Sequence, residues 1–264
     1  MSKPRMIDPE DIDKIQKATE EKTKGNYYEI TGLPTNGLLY KQGTIIKGRP
    51  LGVREVKKLS TMTSDNANSI MNEILSTTIT GINIEDIYEV DKLYIIFWLR
   101  ANTYKNANFT TTFICEKCGK EVSYDFNVEA FEFKRLEEVK DQSIELLNSK
   151  DILELDYQRI SDEIRVDNFK IANRNSRAVY DDDLLLLAST IRSINEEKKS
   201  LGYIYEYINN MHAEDYAYLE SYISDNTIGF IPAIDVECTN KECREVNKVP
   251  VTFRYDFFIP KYKH

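Results

Sequence analysis

The chain has 264 residues, 41% of them hydrophobic and 30% charged, enough to bury a core in one large or two small domains. Its net charge of −9 argues against nonspecific nucleic-acid binding. The longest strongly apolar run, 93–99, is far short of the roughly 20 residues of a membrane span, and the first residues lack an apolar signal core, so a cytosolic start is expected.

Residues 1–26 are charged and only thinly apolar, with Asp8-Pro9 as a helix start and Gly25 as a stop. They read as an N-terminal arm that gains order from a partner. From 27 to 52 glycines and prolines punctuate short strand-like runs at 27–30, 37–40 and 44–46, which predicts a small antiparallel sheet. Between Leu39 and Lys58 the basic residues Lys41, Lys47, Arg49, Arg54, Lys57 and Lys58 face Glu55 alone. That patch, set against nine acidic residues between Glu137 and Glu163, suits protein–protein contacts or simply two solvated faces.

Helices follow. A short basic one spans 53–61, and 65–79 carries the 3.6-residue stripe Ile70, Met71, Ile74, Leu75, Ile79. Residues 91–104 are apolar almost all round and read as the central core helix. Period two then takes over at 109–115 and 122–128, and it returns at 234–238 and 249–257, giving two hairpins. Residues 133–231 read mainly as helix, with segments at 144–160 (acidic), 184–194, 203–211 and 213–223.

All four cysteines fall in the two hairpin tips, Cys115 with Cys118 and Cys238 with Cys243. Two such tips can complete a tetrahedral sulfur site, which Zn2+ prefers. An iron–sulfur centre shares that donor set. A redox CxxC expects a thioredoxin-like βαβ setting, and disulfides expect an export signal. Strand-borne knuckles favour zinc. The second pair has four intervening residues instead of two, a looser knuckle. A metal here would pin the C-terminal hairpin to the N-terminal half across a looped-out insertion. The expected fold is therefore α+β: a small antiparallel sheet and zinc-ribbon-like hairpins over 27–135 plus 234–264, and a largely helical insertion at 136–233.

Catalytic candidates are weak. His264 ends the chain, and His212 beside Glu214 and Asp215 fits a solvated or capping role. Asp181, Asp182 and Asp183 suit a helix start. No phosphate-binding or nucleophile-elbow motif follows a strand, and a closed S4 metal has no open position. A non-enzymatic protein is expected.

One combination of residues goes further. Leu33-Pro34-Thr35, Gly37 and Tyr40, then Arg49-Pro50-Leu51, Val53, Glu55 and Lys57, resemble the opening LPSxGxxY and RPLTVxEEK patterns of the T4-type phage baseplate hub and hub-assembly family. The apolar stretch ending in Arg100, the CxxC at 115–118 and the closing Phe257-Phe258-Ile259-Pro260 look like that family's later parts. The resemblance covers 30–135 and 234–264. It implies a component or assembly factor of a contractile tail, with other tail and baseplate proteins as partners, in the virion baseplate and, during assembly, the host cytoplasm. The alternative is a nucleic-acid-binding zinc ribbon using the 41–58 patch, but that patch has no interleaved aromatics beyond Tyr40.

Overall fold

A computed structural model describes residues 27–63, 66–104, 109–127, 131, 133–176, 179–230, 233–250 and 258. The arm 1–26 and most of the closing segment, 251–257 and 259–264, lie outside the described residues. Among those described, seven α-helices accompany four small antiparallel sheets, so the fold is α+β.

The first sheet has the order β1 (Tyr28–Glu29), β2 (Lys47–Gly48), β3 (Ile79–Thr80), all antiparallel. The runs 37–40 and 44–46 are not strands. Asn36 and Gly37 both have positive φ, so the chain turns repeatedly between Pro34 and Tyr40 instead of extending. Gly81 leaves β3 at φ +92, and a Cβ there would lie 2.0 Å from the Ile45 carbonyl oxygen, an approach only glycine permits.

Helix α1 (Val53–Leu59) starts where Glu55 turns back to accept the Gly52 N–H at 2.7 Å and pair with Arg49 at 2.8 Å. Helix α2 (Ala67–Thr78) buries Ile70, Met71, Ile74 and Leu75 as its sequence spacing implies, together with Thr78, while Ile79, the last residue of the expected stripe, is buried at the start of β3. Cutting a fully buried leucine such as Leu75 to alanine costs about 2–5 kcal/mol. Asn83 caps the 3-10 turn Ile84–Asp86, which leads into α3 (Glu89–Thr103).

Helix α3 is the central helix, but its buried surface is not uniformly apolar. Ile95, Ile96, Phe97 and Leu99 are buried together with Asp91, Lys92 and Arg100. Each charge has partners, as burial requires. Asp91 accepts the Thr35 N–H (3.0 Å), the Thr35 hydroxyl (2.6 Å) and the Tyr40 hydroxyl (2.7 Å). Lys92 pairs with Glu163 at 2.6 Å and Glu89 at 3.2 Å. Arg100 lies over the rings of Tyr104 and Phe109. Phe97 is the centre of an aromatic cluster with Phe109, Phe131 and Phe230, ring centroids 5.0–5.9 Å apart.

The first hairpin forms as its period-two pattern implies, β4 (Phe109–Ile114) with β5 (Glu121–Phe126). In the second, β9 (Ala233–Glu237) pairs with β10 (Val246–Pro250), which begins three residues before the expected run 249–257, and 251–257 lie outside the described residues. Phe109 faces Phe126 and Phe113 faces Val122 on the inner side, while Thr110, Thr112, Ser123 and Asp125 bond across the outer side.

The segment 144–160 is a correction. Instead of helix it holds β6 (Ser143–Glu145) and β7 (Ile152–Leu155), and Ile191–Ile194 forms β8 in place of the last turn of a helix. They make an antiparallel sheet in the order β6-β7-β8. Ile144, Leu153 and Leu155 point inward by strict alternation over three- and four-residue strands, too short for a clear period. Helices α4 (Ile160–Asn173), α5 (Asp182–Thr190), α6 (Leu201–Asn209) and α7 (Ala213–Asn226) cover this sheet. Leu146, Leu153, Leu185, Ile204 and Leu219 form a second core, distinct from the one around Phe97. The two meet where Ile160 N–H donates to Ile87 O, Glu89 N–H to Gln158 O, and Lys134 and Gly229 exchange two backbone bonds.

Candidate metal centre

The two knuckles are built alike despite their unequal spacing. In the first, Cys115 N–H donates to Lys120 O and Gly119 N–H to Cys115 O, both at 2.9 Å, which folds the tip over its own strand ends. In the second, Cys238 N–H donates to Glu245 O at 2.8 Å, and the extra two residues are absorbed by a turn in which Cys243 and Arg244 both donate to Asn240 O. In each knuckle the residue directly after the second cysteine has a left-handed backbone: Gly119 at φ +69 and Arg244 at φ +48. Glycine adopts this freely, and arginine does so at a cost.

The tips converge. All four Sγ atoms lie within 4.8 Å of one another, with Cys118 Sγ 3.6 Å from Cys238 Sγ and Cys115 Sγ 3.9 Å from Cys243 Sγ. A tetrahedron of sulfurs around Zn2+ at about 2.3 Å has edges of about 3.8 Å, so the donor set fits such an ion. Cys115 and Cys238 are buried, Cys243 is half-buried and Cys118 is exposed.

The surroundings favour thiolates unequally. The backbone N–H groups of Cys118 and Lys117, helped by the Asn247 amide, hold the Cys115 thiol down at about 6 against its burial. The Asn240 N–H, 3.5 Å from Sγ, favours the Cys238 thiolate. Burial and the neighbouring sulfurs outweigh it and push that thiol up to about 11. Four sulfurs this close cannot all ionise beside protons alone, whereas a dication would allow it.

Asn247 is the site residue that sequence reasoning missed. Its Nδ2 donates to Cys115 Sγ (3.6 Å) and to Glu245 O (3.1 Å), and its Oδ1 accepts the Glu116 N–H (3.2 Å), tying one knuckle to the other. The signal was a polar residue at an inward position of an alternating strand. Lys117 and Glu245 add an exposed ion pair across the same seam. His212 and Asp181 are helix caps, accepting the backbone N–H of Glu214 and Leu184. Among the described residues no helix is long and apolar enough to cross a membrane.

No curated protein and no solved structure matches the chain significantly. A family model described as T4 bacteriophage base plate protein matches residues 26–259, most of the chain, and with it the two cysteine hairpins and everything between them. The chain belongs to that family of phage baseplate proteins.

Proposed function

We propose that this baseplate protein is a structural component or assembly factor of the hub region, acting through contacts with other tail proteins, and that a structural Zn2+ on Cys115, Cys118, Cys238 and Cys243 holds it together. The observation that carries the zinc reading is the convergence of four sulfurs from hairpins more than a hundred residues apart. When bound, the ion would neutralise four thiolates and fix 234–264 onto 27–135, with 136–233 as a separately packed insertion. A site closed by four sulfurs leaves no position for substrate, which supports a non-enzymatic role. The arm 1–26 and the Leu39–Lys58 basic stretch are the contact surfaces, and the working places are the virion baseplate and the host cytoplasm during assembly.

Mass spectrometry of purified particles, with elemental analysis of the isolated protein, tests this reading. The expected result is one zinc per chain and a fixed copy number in the particle. A metal-free protein removes the zinc. A chain absent from particles but required to make them selects the assembly factor. Salt-dependent, sequence-tolerant DNA binding lost on charge reversal of Arg49, Arg54 and Lys57 would favour the nucleic-acid alternative instead.

A further inference from the structure

Between α1 and α2 runs a groove whose lining includes Arg54, Lys57, Lys58, Ile74 and the two acidic residues Glu55 and Glu73. Most of its lining is carbon, and its charges are not balanced from within. Glu55 is turned away to Arg49 and the Gly52 N–H, and Glu73 pairs with Lys58 at 2.8 Å. Among the described residues, Arg54 and Lys57 form no ion pair. An apolar groove with two uncompensated cations suits an acidic segment that also carries aliphatic side chains.

The described chain begins beside this groove. Tyr27, its first residue, donates its hydroxyl to the carbonyl of Thr77, one of the lining residues, at 3.4 Å. Upstream, residues 7–13 are Ile7, Asp8, Pro9, Glu10, Asp11, Ile12 and Asp13: four carboxylates, two isoleucines and no cation. The thirteen residues 14–26 that separate this segment from Tyr27 span at most about 45 Å when extended. A tether of that length holds the segment at roughly millimolar effective concentration over any site near Tyr27.

We propose that residues 7–13 dock in the α1–α2 groove of their own chain, the carboxylates against Arg54 and Lys57 and the isoleucines against the apolar lining around Ile74. Arm and groove, the two contact surfaces of the proposed function, then cover each other in the free protein. A tail neighbour bearing its own acidic segment must displace the arm to reach the groove, and the displaced arm becomes available to that neighbour in the same event. The contact goes beyond the baseplate role and can fail while that role stands, because it is measured on the isolated protein.

Hydrogen exchange of the full chain at low salt tests it. Amides of residues 7–15 should be protected at least about tenfold over an unstructured peptide. Protection should vanish in Arg54→Glu/Lys57→Glu and return when Asp8→Lys and Asp11→Lys are added. A second variant, Asp8→Asn/Glu10→Gln/Asp11→Asn/Asp13→Asn, leaves the groove untouched and should lose the same protection, so a misfolded groove variant cannot mask the answer. An unprotected arm in the wild type, or protection indifferent to these changes, overturns the proposal. Protection that rises with protein concentration alongside a dimeric sedimentation mass would assign the groove to a second copy's arm and likewise overturn docking within one chain.

Discussion

The two cores solve the same packing problem with opposite means. The core around Phe97 gathers phenylalanines from α3, from β4 and β5, and from Phe131 and Phe230, and its last hairpin joins it through Ile234, Val236 and Val249 as well as through the cysteine cluster. The second core, drawn from residues 144–223, is mainly aliphatic at its centre with Tyr205 buried among the aliphatic side chains, is built from elements that follow one another closely in sequence, and contains no cysteine. Charge divides the same way. Residues 136–233 hold twenty acidic residues against ten basic ones, so they account for the whole net charge of the chain. One region depends on long-range closure, the other on local succession. Their stabilities should therefore respond to different perturbations.

The largest effect expected is loss of the clip. Cys238→Ser, or a strong chelator, should release β9 and β10 to proteolysis and lower the melting temperature of the first core by about 10 °C or more, with the insertion unchanged. If both regions melt together, the two cores are one cooperative unit and the contrast drawn above fails. Next is the seam. Lys92→Met leaves Glu89 and Glu163 buried against each other without their cation and should cost about 3 kcal/mol, lowering both thermal transitions because the seam serves both cores.

Asn247→Ala should weaken metal binding about 10- to 100-fold while keeping one ion per chain, read by competition with a chromogenic chelator. A smaller effect is pH-dependent. Burial raises the Glu89 carboxyl from 4.5 to about 7, Lys92 pulling against it and Glu163 pushing the same way. The folded state thus keeps a proton that the unfolded chain releases, so this group's contribution is fully present below about pH 4.5 and is lost as pH rises to about 7. Glu89→Gln should flatten that slope in urea titrations and stabilise the protein by about 1 kcal/mol at pH 8. Smallest is Arg244→Gly, which relieves the left-handed arginine and should add about 0.5–1 kcal/mol to the first core alone.

The cysteine hairpins were legible because alternation and spacing agreed over five or six residues on each side of the tip. The central helix was legible as well, although its buried Asp91 was not. The donors of Asp91, Thr35 and Tyr40, lie more than fifty residues upstream, and no local pattern links them. The strands of the insertion were missed for a different reason. Thr190 passes from α5 into β8 at Ile191 with no glycine or proline between, so the apolar run from Leu184 reads as one helix. At 37–40 the opposite error arose, since apolar residues after Gly37 suggested a strand where positive φ values bend the chain.

The 119 residues between Cys118 and Cys238 also set a timetable. A ribosome adding 5–20 residues per second delivers the second knuckle on the order of ten seconds after the first. Through that interval residues 144–223 can collapse on their own core, while Cys115 and Cys118 wait as an open two-sulfur hook. The four-sulfur cluster can be completed only when the second hairpin emerges, so capture of the proposed ion would follow the folding of everything between the two knuckles.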